Sequence, residues 1–242
     1  MGIVYSGIPR EFALDLSRQF DVKTFVETGT HVGDTAAWAA QNFNSVTSIE
    51  LFKSLYEQAC NRHGYLANIN FIYGDSRKAL VDIVEKLDAP ALFWLDSHWS
   101  CGATYGEGDE CPLLEEIDAI NRSKIEHFVF VDDARFFLSP PTKPHNIEQW
   151  PSIDMVIQAL KSDGKSNYIV IFNDVIISVP EYAKAFVAEY CQDANTRTHV
   201  AWMSERKKSY FQRALRLLVD SGKVMMQGIL NWFTASSNKV SF

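Results

Sequence analysis

Cysteine is scarce in this chain of 242 residues, and its four cysteines never form a C-x-x-C pair. Scattered thiols favour neither a zinc cage nor a disulfide framework, and they are typical of a cytoplasmic protein. Long apolar runs are also missing, because the longest has about five residues and a membrane-crossing helix needs about 18. The N-terminus lacks the basic and then apolar pattern of a secretory signal. We therefore expect a cytoplasmic protein without a transmembrane segment.

Positive charge is in short supply as well. The chain has 23 Lys and Arg against 30 Asp and Glu, which gives a net charge of −7 at pH 7. Proteins that bind nucleic-acid backbones are usually basic, so we expect no nucleic acid among the partners. Hydrophobic residues make up 47% of the chain, which is enough for a large core. The length suits one α/β domain with additions.

Short apolar segments alternate with helical patterns along the first half of the chain. Segments of this length alternating with helices of about ten residues predict right-handed βαβ units and a parallel sheet. The predicted strands are Thr24–Glu27, Val46–Glu50, Asn70–Tyr73, Ala91–Leu95 and Phe128–Val131, and the predicted helices between them are Asp34–Asn42, Lys53–His63, Arg77–Leu87 and Leu113–Asn121.

The pattern changes near the end of this region. Two further apolar segments, 168–172 and 175–179, are separated by Asn173 and Asp174 alone. Two residues cannot carry a parallel crossover, so this pair must be an antiparallel hairpin. The sequence thus predicts an α/β fold, a Rossmann-like doubly wound sheet of five parallel strands closed by an antiparallel hairpin, with helices on both faces.

Three regions are expected: an N-terminal helix within residues 1–20, a core at 21–180 and a helical extension at 181–242. In the extension, Phe211, Leu215, Leu218 and Val219 share one helix face. Packing on the chain's own domain, pairing of two chains into a homodimer, and contact with a membrane surface remain open for this face.

The strongest functional signal is a turn between the first strand and the next helix. Ligands of parallel α/β sheets bind outside the carboxyl ends of the strands. The first strand ends there in Glu27, Thr28, Gly29 and Thr30, and Gly33 and Thr35 follow. Each of the other four strands also delivers an acidic residue to this edge: Glu50, Asp75, Asp96, and the pair Asp132 and Asp133.

The spacing of these acids suggests a nucleoside ligand. Glu50 lies 21 residues after Gly29 at the end of the second strand, where a carboxylate can accept hydrogen bonds from two ribose hydroxyls. Asp75 is placed to accept from the exocyclic amine of an adenine. The turn departs from G-x-G-x-x-G, and the acidic Glu27 would repel a pyrophosphate but suit an amine or sulfonium cation. These features favour S-adenosylmethionine over NAD.

Over roughly residues 20–180 the sequence resembles the class I S-adenosylmethionine-dependent methyltransferases. It is most similar to the metal-dependent O-methyltransferases of small molecules and sugars, including the macrocin type. The resemblance implies a cofactor site whose methionine and sulfonium end is lined by Glu27, Gly29 and Gly33, whose ribose binds Glu50, and whose adenine meets Asp75 and Ser76. Thr28, Thr30, Thr35 and Asp96 are expected to complete this site.

The same resemblance implies a divalent cation, Mg²⁺ or Mn²⁺, held by Asp96, Asp132 and Asp133. All-oxygen ligands suit these ions, and the metal would lower the pKa of an acceptor hydroxyl. His98, two residues after Asp96, is expected as a general base; a fourth ligand and a structural histidine are the alternatives.

The expected acceptor is a small molecule or a carbohydrate, and the glycine-containing loop 97–112 suits its wall or a lid. Metal-independent methylation of nitrogen or a carboxylate, or a nucleotide-binding oxidoreductase, are the competing interpretations.

Overall fold

Seven strands form one sheet in the computed structural model, which describes residues 7–99, 106, 108–162, 164 and 166–237. The strands are β1 (Thr24–Thr28), β2 (Ser45–Glu50), β3 (Ile69–Tyr73), β4 (Ala91–Leu95), β5 (Phe128–Val131), β6 (Asn167–Phe172) and β7 (Val175–Pro180).

The sheet order is β3-β2-β1-β4-β5-β7-β6. Strands β1 to β5 run parallel to one another, whereas β7 pairs antiparallel with both β5 and β6. The hairpin turn uses Asn173 and Asp174 at φ values of 50° and 66°, as a two-residue turn with both centres in the left-handed region requires. The predicted sheet of five parallel strands closed by an antiparallel hairpin is confirmed.

Helices follow most of the strands. They are α1 (Arg10–Gln19), α2 (Asp34–Ala40), α3 (Lys53–His63), α4 (Ser76–Glu85), α5 (Leu113–Asn121), α6 (Arg135–Leu138), α7 (Ile153–Leu160) and α8 (Lys184–Ser237). The short α6 and helix α7 lie between β5 and β6, where no helix was predicted from the sequence.

Alternate strand residues build two apolar cores, one on each face of the sheet. On one face the Phe12 ring of α1 stacks on Phe130 at 5.7 Å, and Phe25 contacts the Trp38 ring of α2 at 6.1 Å. On the other face Val26 and Val131 belong to a cluster with buried side chains of α4, α5 and α7. Helices α1 and α2 cover one face and α4, α5 and α7 cover the other, as buried parallel strands require. The predicted placement of helices on both faces is confirmed.

The chain divides into two compact units, residues 1–188 and 189–242. The second unit consists of the continuation of α8, whose residues 195–210 are all exposed. No helix among the described residues is both long and apolar enough to cross a membrane. The region boundaries expected at residues 20 and 180 stay predictions.

Candidate active site

A cavity of about 440 Å³ lies at the carboxyl ends of the five parallel strands. This is where parallel α/β sheets bind their ligands. Nine of the predicted site residues line it: Gly29, Thr30, Thr35, Glu50, Asp75, Ser76, Asp96, His98 and Asp132. Four described residues of the predicted set lie outside the lining, namely Glu27, Thr28, Gly33 and Asp133.

The two glycines of the turn serve protein contacts. Gly29 has a φ of +84°, and a Cβ there would overlap the carbonyl oxygen of Asp96. Gly33 also has a φ of +84°, and its Cβ would press on His63 and Ala59 of α3. Gly29 lines the cavity and also brings β1 against the end of β4, whereas Gly33 lies outside the lining and seats α2 on α3. The cofactor contacts expected of both glycines stay predictions.

Glu27 lies beneath the cavity. Its side chain is buried, and it accepts a hydrogen bond of 2.5 Å from the Ser48 hydroxyl, which in turn contacts Thr30 Oγ1 at 2.6 Å. Burial raises the pKa of Glu27 to about 8. Glu27 therefore lies outside the cavity lining and is linked to Thr30 through Ser48, and its expected position beside the sulfonium stays a prediction. Thr28 is fully buried as well.

Glu27→Gln is expected to flatten the pH dependence of stability. The pKa of Glu27 rises from 4.5 to about 8 on folding, so its contribution to stability is present below pH 4.5 and is lost as the pH rises towards 8. Thermal unfolding followed by circular dichroism from about pH 5 to 9 measures this slope. Glu57→Gln, at an exposed position of α3, is the control; equal slopes in wild type and Glu27→Gln would contradict the prediction.

Glu50 sits at the end of β2 with both carboxylate oxygens oriented by backbone amides. His31 N donates to Oε2 and Phe52 N donates to Oε1, each at 2.8 Å. Burial raises the pKa of Glu50, and these two amides partly offset the effect. Each oxygen can accept a second hydrogen bond, so the carboxylate is fixed in place and able to receive two vicinal hydroxyls.

Asp75 lines the cavity, but both of its oxygens are already paired. Arg77 donates to Oδ1 through its backbone N at 3.0 Å and its Nε at 2.9 Å, and to Oδ2 through Nη2 at 2.8 Å. Asp75 Oδ2 has one donor and can accept a second, so the predicted bond from an adenine amine would share this oxygen with the guanidinium. Arg77 was missed from the sequence, although a cation two residues after a strand-end acid was the available signal.

The other end of the cavity holds an imidazole among carboxylates. His98 Nε2 lies 3.0 Å from Asp133 Oδ2, and His98 Nδ1 lies 3.9 Å from Asp96 Oδ1. Asp132 Oδ1 accepts the backbone N–H of Asp133 at 2.8 Å. The ends of β4 and β5 are adjacent in the sheet, which brings these four residues together as the sequence predicted.

The environment separates the charge states of this cluster. Burial, with repulsion from Asp132 and Asp133, raises the pKa of Asp96 to about 8, and burial with the adjacent Asp133 raises the pKa of Asp132 to about 6. Burial also opposes charge on the His98–Asp133 pair. Their hydrogen bond and the opposite charges around them together outweigh burial, so the pKa of Asp133 falls and the pKa of His98 rises. Of the two carboxylates of this cluster that line the cavity, Asp132 has the lower pKa, so it loses its proton at a lower pH than Asp96 does.

The three predicted metal ligands are not equivalent. Asp133 Oδ2 pairs with His98, and Asp133 Oδ1 accepts from Arg135 Nη1 at 2.7 Å. Asp96 and Asp132 line the cavity, whereas Asp133 does not. Across the described part of the chain, no group of three or more His, Cys, Asp or Glu side chains is arranged to hold a metal. The residues therefore fit a cation held by two carboxylates better than one held by three.

Two further acids have partners that the sequence did not reveal. Glu110 accepts from Trp150 Nε1 at 2.7 Å and from Asn146 N at 2.9 Å, so it joins two loops and lies outside the cavity lining. Glu116 of α5 is fully buried and accepts from Ser97 Oγ at 2.6 Å, below the segment that carries Asp96 and His98. Part of loop 97–112, including Cys101, lies outside the described residues.

Comparisons with known proteins place the fold. No protein-family model matches the chain, and no curated protein matches it either. A Bacillus cereus O-methyltransferase solved with S-adenosylhomocysteine is similar with a TM-score of 0.53 at 12% identity, over 73% of this chain and 83% of that one. An S-adenosylhomocysteine-bound methyltransferase of Podospora anserina gives 0.50 at 14% identity, over 70% and 76%. This chain therefore has the fold of the class I S-adenosylmethionine-dependent methyltransferases.

Proposed function

We propose that this protein transfers a methyl group from S-adenosylmethionine to a hydroxyl oxygen of a small molecule or carbohydrate. The observation that carries the proposal is one cavity with Glu50 at its nucleoside end and Asp96, His98 and Asp132 at its reactive end. When bound, S-adenosylmethionine supplies an electrophilic methyl group and leaves as S-adenosylhomocysteine.

The side chains divide the work between binding and proton transfer. Glu50 holds the ribose hydroxyls, Ser76 contacts the adenine, and Thr30 and Thr35 line the methionine end. Asp132, in place of the His98 expected from the sequence, takes the proton from the acceptor hydroxyl as the oxygen attacks the methyl carbon, so the proton ends on its carboxylate. His98 is the poorer base because its pairing with Asp133 raises its pKa and favours the protonated imidazole. The pair of His98 and Asp133 keeps a positive and a negative charge fixed beside this step.

A divalent cation, Mg²⁺ or Mn²⁺, is the finer part of the proposal. Asp96 and Asp132 would hold it, since Mg²⁺ is commonly bound through one or two carboxylates together with substrate oxygens. It would lower the pKa of the acceptor hydroxyl, and the proton would then pass to water, because Asp132 would be a ligand and not the base. The pairing of Asp133 with Arg135 favours the metal-independent alternative, in which the acids only position a nitrogen or carboxylate acceptor.

Calorimetry with S-adenosylhomocysteine tests the cofactor. Wild type should bind S-adenosylhomocysteine. Glu50→Gln should raise the Kd about tenfold or more, because hydrogen bonds to a charged group contribute about 1.5–3 kcal/mol. Glu85→Gln, at an exposed position of α4, should leave the Kd unchanged. Binding of NAD without binding of S-adenosylhomocysteine would favour the oxidoreductase interpretation over the methyltransferase.

Metal removal tests the cation separately. Turnover that survives exhaustive treatment with EDTA would leave the metal-independent mechanism standing, whereas loss of turnover restored by Mg²⁺ or Mn²⁺ supports the cation.

We also propose a cytoplasmic location and acceptors other than nucleic acid, in keeping with the net charge of −7 and the scattered thiols.

Pairing of two copies through α8 is proposed because its apolar side chains Val200, Trp202 and Met203 are exposed. Light scattering of the full chain measures this state.

A further inference from the structure

The guanidinium of Arg77 lies between carboxylates from two separate segments of the cavity wall. Its Nη2 is 2.8 Å from Asp75 Oδ2, and its Nη1 is 2.9 Å from Asp109 Oδ2. Asp75 follows β3, whereas Asp109 belongs to the segment that precedes α5. All three side chains line the cavity, so the bridge from Asp75 to Asp109 is part of the wall that a bound ligand meets.

One half of this bridge is rigid. Arg77 bonds Asp75 through Nε and Nη2 in a two-pronged pair, and its own backbone N binds the same carboxylate. Paired N–H donors of this kind fix the geometry of a guanidinium better than a single contact does. The bond from Arg77 also lowers the pKa of Asp75. Asp75 thus fixes the position of the Arg77 guanidinium in the cavity wall.

The other half of the bridge is the pairing of Arg77 with Asp109. Asp109 N donates to the carbonyl oxygen of Gly106 at 2.9 Å, and Gly106 has a φ of +133° with Trp99 close to where a Cβ would lie. Gly106, Asp109 and Pro112 all line the cavity. The Asp109 side chain is 55% exposed, so its pairing with Arg77 is open to screening by salt.

We infer that Arg77 is a positioning residue of the cofactor site, which ties the Asp109 segment to the wall formed by Asp75 and thereby slows release of the cofactor. This inference rests on the proposed function, because it takes S-adenosylmethionine and S-adenosylhomocysteine as the ligands that the bridge retains.

A double-mutant cycle on cofactor release tests the bridge. Stopped-flow measurement gives the dissociation rate of S-adenosylhomocysteine from wild type, Arg77→Ala, Asp109→Asn and the double variant. Asp109→Asn should release about threefold faster, in the range of exposed ion pairs, and Arg77→Ala about tenfold faster because it also leaves Asp75 unpaired. In the Arg77→Ala background, Asp109→Asn should have no further effect.

Salt and a matched pair supply the controls. Raising NaCl from about 0.05 M to 0.5 M should increase the dissociation rate of S-adenosylhomocysteine from wild type, because salt screens the exposed pairing of Arg77 with Asp109. The dissociation rate from Asp109→Asn should not change with salt. Asp118→Asn breaks an exposed pair with Arg122 on α5 and should not alter the rate.

The outcomes separate this inference from the proposed function. Additive effects of the two substitutions, or an equal acceleration by Asp118→Asn, would overturn the bridge while cofactor binding stands. A wild-type protein that does not bind S-adenosylhomocysteine would overturn the proposed function, and the retention role with it.

Discussion

Asp132→Asn is expected to lower kcat for methyl transfer by about 10²–10⁴-fold, the usual contribution of a general base. Asparagine keeps the size of the side chain and its acceptance of the Asp133 amide, but it cannot take a proton. Asp132 lies at the reactive end of the cavity, so the Kd of S-adenosylhomocysteine should stay within about twofold of wild type. The rate is measured as S-adenosylhomocysteine released in the presence of a hydroxyl acceptor.

A matched substitution separates this role from a general effect of charge. Asp82→Asn removes a carboxylate from an exposed position of α4 and should retain the wild-type rate. If Asp132→Asn kept its turnover and instead lost affinity for S-adenosylhomocysteine, Asp132 would belong to the cofactor site and the base would have to be sought elsewhere.

Gly29→Ala is expected to destabilise the fold by about 3 kcal/mol or more and to abolish binding of S-adenosylhomocysteine. Two costs add: an alanine at positive φ costs about 1–2 kcal/mol, and overpacking adds about 1–3 kcal/mol. The overlap occurs with backbone atoms of Asp96, which cannot move away as a flexible side chain does. Urea denaturation measures the change in the free energy of unfolding.

Gly164→Ala is the control for the cost of positive φ, and its difference from Gly29→Ala gives the steric part. Gly164 has a φ of +73°, and among the described residues no atom lies within 4 Å of its Cβ position. This control should therefore show only the cost of the backbone conformation, about 1–2 kcal/mol. Equal losses in the two variants would mean that the approach of β1 to β4 is not what requires Gly29.

The sheet could be predicted because its signals are local. Buried parallel strands appear as short apolar runs, as in Ala91–Leu95 and Phe128–Val131. Asn173 and Asp174 leave room for nothing but a tight turn, and both adopt the positive φ that such a turn needs. Neither inference depends on which side chains meet in space.

The site could be predicted only to the level of the sheet edge. Parallel strands deliver their ends to one edge, which explains why Glu50, Asp96, His98 and Asp132 all line the same cavity. The direction of each side chain depends on partners from other elements. Glu27 turned downwards to Ser48, which lies 21 residues away, and no short-range pattern contains that information.

The sequence by itself determined the strand types, the antiparallel hairpin and the edge at which the acidic residues gather, because periodicity and turn length act within a few residues. The tertiary structure alone decided which of those acids face the cavity. Asp75 lines the cavity but is paired with Arg77, whereas Asp133 is paired with Arg135 outside the lining and Glu27 is buried. A carboxylate's role depends on burial and on the cation or donor beside it, and those neighbours are set when the chain packs.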